Sequence, residues 1–243
     1  LIVRLKKEYP HWGAPKLRER LKQRWPDVAC PAISTVHAVL DRHQLVRRRR
    51  RARQPRLTGT LLTRPVAPNR LWCADYKGEF LLANRQYCYP LTITDFASRY
   101  LIACEAQSTT KERYAFAVFE RACQDFGLPD AIRTDNGVPF ASAHALYGLS
   151  KLAVWWLRLD IGLERIAPGH PEQNGRHERL HLTLKTEATH PAAPNILQQQ
   201  ARFDTFLHRF NKERPHQALD MRTPASQYTP STRVYQGLEE LEY

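Results

Sequence analysis

Residues 71–77, with the sequence LWCADYK, carry the strongest structural signal in the chain. Four apolar residues in a row are typical of a short buried strand, and Asp75 stands at its predicted end. An ionised carboxylate in that position needs a partner, because burying an unpaired charge is costly. Asp75 is therefore the first candidate for a functional residue.

The pattern on the C-terminal side of Asp75 alternates between strands and helices. Predicted strands cover residues 87–93, 100–106, 131–134 and 163–166. Predicted helices cover residues 114–122, 149–159 and 203–210, and one more begins near residue 172. Strands followed by alternating helices and strands indicate an α/β fold, with a mixed sheet flanked by helices.

Two other carboxylates have a context comparable with that of Asp75. Asp135 follows the predicted strand 131–134 and precedes an Asn-Gly turn. Glu178 lies inside a predicted helix that begins after a loop with two glycines and two prolines. Three carboxylates together offer an oxygen-rich site for Mg²⁺ or Mn²⁺. Two such ions about 3.5–4 Å apart support phosphodiester chemistry.

Each of these acids also has a simpler interpretation. Asp135 is equally well explained as an ordinary turn residue. Glu178 has the sequence context of a surface helix carboxylate that pairs with Arg179 or Lys185. Asp95 occupies the same kind of position as Asp75, and we interpret it as a turn residue.

Four polar side chains near the predicted site are candidate DNA contacts, namely Asn136, Asn174, Arg179 and Lys185. On an ideal helix Lys185 lies within about 40° of Glu178, which places it beside the predicted metal ions. His170, His177 and His181 have no cysteine with them. We therefore interpret these histidines as phosphate-side or surface residues rather than zinc ligands.

The net charge of +13 is concentrated at the N-terminus. Residues 1–56 hold 16 Lys/Arg against 4 Asp/Glu, whereas the remainder holds 21 against 20. A basic segment of this kind is typical of a nucleic-acid-binding module, and DNA or RNA is the expected partner. A solvated basic tail has the same composition and remains the alternative.

Two short helices are predicted inside the basic segment. One carries Leu17, Leu21 and Trp25 on one face, and the other has Ser34 or Thr35 as its cap. Two helices joined by a turn indicate a helix-turn-helix or winged-helix unit that reads the major groove. The arginine run that follows is predicted to contact DNA and consists of Arg47, Arg48, Arg49, Arg50 and Arg51.

Five widely spaced cysteines form no CxxC pair, which argues against a zinc ribbon or a disulfide framework and fits a reducing cytoplasm. No apolar run approaches the roughly 20 residues of a membrane span, so no membrane partner is expected. The chain begins at Leu1 rather than at methionine, so we expect a piece of a longer protein.

Four stretches carry a family resemblance: residues 72–77 (WCADYK), 133–137 (RTDNG), 168–179 (PGHPEQNGRHER) and 210–219 (FNKERPHQAL). In this order they resemble the retroviral-integrase-like DDE transposases of bacterial insertion sequences. The resemblance implies an RNase H-like core in which Asp75, Asp135 and Glu178 hold two Mg²⁺ or Mn²⁺ ions. The spacing from Asp135 to Glu178 is longer than is usual in integrases, and we place the excess in residues 141–150.

The residue patterns and the resemblance together predict a domain organisation. The expected parts are a basic DNA-binding segment at 1–55, a linker at 56–69, the core at 70–190, and a C-terminal helix and tail at 191–243 that pack on the core. The tail after Thr229 is predicted to be weakly ordered. Further helix-turn-helix sequence is expected before Leu1.

The implied activity is cleavage at element ends, which frees a 3′-hydroxyl that attacks target DNA. Terminal repeats and target DNA are the implied partners. At least a dimer is implied, because two DNA ends must be joined in concert. Two alternatives stay open: an RNase H-like nuclease without strand transfer, and a catalytically inactive DNA-binding relic.

Overall fold

The computed structural model of the protein describes residues 1–46, 62–142, 145–167 and 171–238. The predicted contacts Arg47 to Arg51 and His170 lie outside the described residues. Of the predicted linker, residues 62–69 are described, and they form neither helix nor strand. No helix in these described ranges is both long and apolar enough to cross a membrane.

Three helices make up the N-terminal unit, which we define as residues 1–46: α1 (Ile2–Glu8), α2 (Ala14–Arg24) and α3 (Ile33–Arg42). They bury a common cluster that includes Leu5, Trp12, Leu17 and Val36. The two helices expected from the sequence are α2 and α3. Helix α1 was not predicted, because seven residues are too few to establish a helical period.

The predicted cap of α3 is wrong. Ala32 occupies the N-cap position, no side chain caps the helix, and Ser34 and Thr35 lie within its first turn. The prediction placed the helix start too late: α3 begins at Ile33, so Ser34 and Thr35 are already helical and cannot occupy the N-cap position.

Six strands form one mixed sheet: β1 (Trp72–Tyr76), β2 (Phe80–Leu81), β3 (Tyr87–Asp95), β4 (Leu101–Gln107), β5 (Ala131–Thr134) and β6 (Gly162–Arg165). Strand β3 pairs antiparallel with β1, β2 and β4, whereas β1–β5 and β5–β6 are parallel pairs. The prediction of a mixed sheet is confirmed. The two-residue strand β2 was not predicted, because two residues show no periodicity.

Four helices cover the sheet: α4 (Glu112–Phe126), α5 (Lys151–Arg158), α6 (Gly175–Ala188) and α7 (Ile196–Lys212). Helices α4 and α5 pack on one face through residues such as Phe119 and Trp156, against Trp72 and Ala74 of β1. On the other side α6 and α7 pack through Leu184 and Phe203. Because side chains alternate along β1, Cys73 and Asp75 point away from the α4 and α5 side.

The tail after Thr229 is held against the core, so the prediction of a weakly ordered tail is wrong for the described residues up to 238. The side chain of Arg233 donates hydrogen bonds to the carbonyl oxygens of Pro129, Leu159 and Asp160. Gly127 permits this packing: its φ is +74°, and a Cβ there would lie 2.8 Å from the carbonyl oxygen of Arg233.

Candidate active site

Asp75 and Asp135 lie at the same end of two neighbouring strands. Strands β1 and β5 run parallel, with Trp72 opposite Ile132 and Cys73 opposite Arg133. The same register, continued by two residues, brings Asp75 opposite Asp135, which directly follows β5. A strand end of this kind is where α/β proteins place functional side chains, because parallel strands present their carboxyl ends along one edge.

Glu178 approaches the two aspartates from α6, where it lies in the first turn of the helix. The helix is fixed on the sheet by Leu180 and Leu184, which are 5% and 0% exposed, as their predicted core role requires. Glu178 itself is exposed to solvent. The packing of α6 therefore sets the distance at which Glu178 stands from the aspartates.

Asp75, Asp135 and Glu178, which we call the carboxylate cluster, are near enough to one another for the charges of the other two to act on Asp75. Burial raises the pKa of Asp75 to about 7, and the charges of Asp135 and Glu178 act in the same direction. The backbone N–H of Tyr76 opposes this rise by donating a hydrogen bond. Within the described residues no lysine or arginine forms an ion pair with Asp75. A group of carboxylates without a basic partner fits a divalent cation, which supplies the missing positive charge.

The three carboxylates do not by themselves form a complete metal-binding site. Among the residues that the structure describes, no three histidine, cysteine or acidic side chains stand close enough to hold one ion. The carboxylate of Asp135 accepts a hydrogen bond from the backbone N–H of Gly137 at 3.1 Å. Asp135 thus also fills the turn role that the sequence left open, and the single hydrogen bond leaves its second carboxylate oxygen available to a metal ion.

Behind Asp75 lies a buried polar network centred on Thr92. The Thr92 hydroxyl donates to the backbone carbonyl of Asp75 at 3.1 Å. The Nε2 atoms of His177 and His181 lie 2.6 Å and 2.9 Å from the same hydroxyl oxygen. With the one hydroxyl proton assigned to the carbonyl, both imidazoles are assigned the tautomer that donates from Nε2. The network ties β1, β3 and α6 together directly under the carboxylates.

The interpretation of these histidines as phosphate-side or surface residues is wrong for His177, which is 1% exposed. Burial and the neighbouring His181 hold the pKa of His177 well below its usual value, and burial lowers that of His181 to about 4. Both rings are therefore neutral near pH 7. The contact of 3.9 Å between His181 Nδ1 and Asp75 Oδ2 is accordingly not an ion pair.

The candidate DNA contacts are distributed around this cluster. Lys185 and Arg179 are exposed on α6, and the charge of Lys185 adds to burial in lowering the pKa of Lys77. Asn136 is exposed but donates its amide to the carbonyl of Ile166 at 2.8 Å. Asn174 is 5% exposed at the N-cap of α6, so its side chain has little surface to offer a ligand.

Asp95 is a structural carboxylate, as its interpretation as a turn residue requires. It is 1% exposed and ends β3. Its oxygens accept hydrogen bonds from the backbone N–H groups of Asn69 and Ser98 and from the Ser98 hydroxyl. Burial raises its pKa, whereas these hydrogen bonds lower it. With its acceptor capacity used in the turn, Asp95 takes no part in the carboxylate cluster.

Thr92 and Lys77 are site residues that were not predicted from the sequence. A signal for Thr92 was present, because residues 91–94 (LTIT) alternate apolar and polar side chains, as a strand with two different faces does. The sequence could not show that Thr92 of β3 pairs with Asp75 of β1, because strand register depends on the fold. Lys77 follows Asp75 by two residues and so projects from the same strand face.

Comparisons with known proteins agree with this architecture. Residues 65–171 match an integrase core domain family, and residues 159–224 match a second family with the same description. Together the two matches extend over about two thirds of the chain.

Two curated relatives belong to bacterial insertion elements. An uncharacterised 39.2 kDa protein of element IS476 from Xanthomonas euvesicatoria is 25% identical over 97% of this chain and 65% of its own length. An uncharacterised 31.7 kDa protein of element IS407 from Burkholderia multivorans is 26% identical over 74% of this chain and 62% of its own length. The chain thus spans less than two thirds of these relatives.

Solved structures share the fold. The HTLV-2 integrase catalytic core domain, in its trimeric complex with magnesium, matches 68% of this chain and 100% of that chain, with a TM-score of 0.53 and 16% identity. A chain of the simian T-cell lymphotropic virus intasome, in complex with a PP2A regulatory subunit, matches 100% of this chain and 78% of that chain. Its TM-score is 0.59 and its identity 18%. The mixed sheet flanked by helices is therefore the RNase H-like integrase core.

Proposed function

The chain belongs to the integrase core domain family, among the DDE transposases of insertion sequences, and we propose that it cuts and joins DNA with divalent metal ions. The observation that carries this proposal is the position of Asp75 and Asp135 at neighbouring strand ends, with Glu178 near enough for its charge to raise the pKa of Asp75. No lysine or arginine of the described residues pairs with Asp75. The proposed substrates are the terminal repeats of an element and its target DNA. The proposed active species is a dimer or a larger oligomer on DNA.

The chain's own residues have separable roles in this proposal. Asp75 and Asp135 would hold the ions from the sheet, and Glu178 would complete the ligand set from α6. Two bound Mg²⁺ or Mn²⁺ ions supply an activated oxygen nucleophile and stabilise the leaving oxygen. Thr92 fixes the backbone of Asp75, and the neutral rings of His177 and His181 hold α6 without adding charge. Lys77 and Lys185 offer positive charge to a DNA strand beside the carboxylates.

The test is an assay of cleavage and joining on DNA that flanks the gene, with Mg²⁺ or Mn²⁺. We expect Glu178→Gln and Asp135→Asn to abolish both reactions while DNA binding persists. Asp125→Asn serves as a matched control, because Asp125 is an exposed carboxylate on α4, across the sheet from α6. Full cleavage by Glu178→Gln would refute the assignment.

The joining step separates this proposal from its nearest rival. An RNase H-like nuclease would use the same three carboxylates and release cut ends without linking them to target DNA. Products in which one flanking strand is covalently joined to target DNA support a transposase. Metal-dependent cuts with no joined product would support the nuclease instead.

A further inference from the structure

A cleft of about 560 Å³ opens beside Glu178 and is walled by four separate parts of the chain. These are α2, the turn between β3 and β4, the first turns of α6, and the segment after α7. Each part contributes basic side chains to the wall, namely Lys16, Arg99, Arg176, Arg179 and Arg214. These segments are far apart in the sequence, so it is the fold that brings their positive charges together in the cleft.

The five cations are poorly neutralised. Arg214 pairs with Glu187, and this is the single ion pair with a carboxylate that the structure shows for the five within its described residues. The acids on the wall itself are Glu178 and Asp95, and Asp95 already accepts hydrogen bonds from Asn69 and Ser98. The cleft therefore keeps an excess of positive charge.

The positive charges in the cleft also destabilise one another. Burial lowers the pKa of Lys16 to about 7, and the charges of Arg214 and Arg179 add to the effect, although Glu187 opposes it. Burial and the charge of Arg179 likewise lower the pKa of Arg99. Crowding like charges in a partly desolvated space costs free energy, of which the Glu187 carboxylate offsets a part. A bound anion would offset that cost.

Two arginines are presented to the cleft in constrained geometries. Arg99 has a φ of +62°, a conformation that asparagine or glycine adopts more readily than arginine. The guanidinium carbon of Arg176 lies 3.8 Å from the ring centroid of Phe96, and one of its N–H groups donates to the Phe96 carbonyl. Stacking of this kind holds the remaining N–H groups in a fixed plane, which suits recognition of phosphate oxygens.

The cleft lies between the N-terminal unit and helix α6, which carries Glu178. Tyr9 of this unit donates a hydrogen bond to Glu213 at 2.5 Å, and Arg20 lies 3.5 Å from the same carboxylate. These contacts seat α2 over the end of α7, so Lys16 faces Arg179 and Arg214 across the cleft. A ligand bound there would touch both the basic unit and the helix that carries Glu178.

We propose that this cleft binds a backbone phosphate of a DNA strand that passes from the N-terminal unit to Glu178. The proposal rests on the proposed function, because it takes DNA as the substrate. DNA fits better than a small free anion, because the cleft is open, spans two parts of the protein and leads directly to the carboxylate cluster. In this assignment Lys16 and Arg99 are DNA-binding residues, and Arg176 and Arg179 orient the strand beside the metal ligands.

The test measures binding of a short duplex by the full chain, without divalent metal, between about 50 and 200 mM salt. The variant is Lys16→Gln combined with Arg99→Asn, because asparagine tolerates the positive φ of Arg99. We expect binding to weaken about 10-fold at the low-salt end, with a salt slope shallower by about one for each phosphate that is no longer neutralised. Lys151→Gln, on the far side of the sheet at the start of α5, is the control and leaves both quantities unchanged.

A thermal melt distinguishes a ligand site from a structural one. Because the cations repel one another, the double variant should melt at the same temperature as the wild type or higher. A lower melting temperature with unchanged DNA binding would overturn the proposal, as would equal binding by wild type and variant. If the wild-type chain binds no duplex at all, the proposed function fails together with this inference.

Discussion

At the scale of single residues, Thr92 determines how the site is built. Its hydroxyl uses all of its hydrogen-bonding capacity, as donor to Asp75 and as acceptor from two imidazoles. We expect Thr92→Val to lower the free energy of unfolding by about 1–3 kcal/mol, because a buried imidazole N–H is left without an acceptor. Thr92→Ser keeps the hydroxyl and should retain most of the stability. Urea unfolding at pH 7 measures both, and equal stability of Thr92→Val and wild type would contradict the network.

The raised pKa of Asp75 gives a second prediction at this scale. The value of about 7 in the folded chain exceeds the ordinary 3.8, so the ionised group opposes folding. The penalty begins above the unfolded pKa and is complete above about pH 7. We therefore expect Asp75→Asn to raise the melting temperature of the metal-free protein by a few degrees at about pH 8 and by less at about pH 5.5. A lower melting temperature for the variant at the higher pH would show that Asp75 has an unseen stabilising partner.

At the scale of elements, the sequence was most informative where a segment carried its own periodicity. Strand β5 and the buried face of α6 were correctly predicted, because Leu180, Leu184 and Ala188 recur at helical spacing. The pairing of β1 between β3 and β5 could not be predicted, because register depends on contacts between distant segments. The burial of His177 was missed for the same reason, since its partner Thr92 lies 85 residues away.

The C-terminal tail provides the prediction at this scale. Arg233 joins the tail to the loop before β5 and to the end of α5 through carbonyl acceptors. We expect Arg233→Gln to reduce the melting temperature by several degrees, because three charge-assisted hydrogen bonds are removed. Arg222→Gln is a suitable control, because its only ion-pair contact in the described chain is to the exposed Asp220, at 3.6 Å. Equal melting temperatures for Arg233→Gln and wild type would mean that the tail contributes no stability.

At the scale of the whole molecule, the unevenly placed charge explains the relation between the N-terminal unit and the core. Residues 1–56 hold most of the excess Lys/Arg, and the described part of this segment docks on the core through Tyr9 and Glu213. We expect deletion of residues 1–56 to weaken duplex binding and to flatten its dependence on salt, because fewer counterions are released. Binding titrations over a salt series measure this, and an unchanged slope would place the DNA-binding surface on the core alone.

The central claim is that Asp75, Asp135 and Glu178 together hold divalent metal when DNA is present. Calorimetric titration of Mn²⁺ into the wild-type chain and into Asp75→Asn, each with a short duplex bound, tests it most directly. We expect saturable binding by the wild type, with protons released below about pH 7 as Asp75 ionises, and no such binding by the variant. Equal Mn²⁺ binding by the two proteins, or none by either, would contradict a metal site built on these carboxylates.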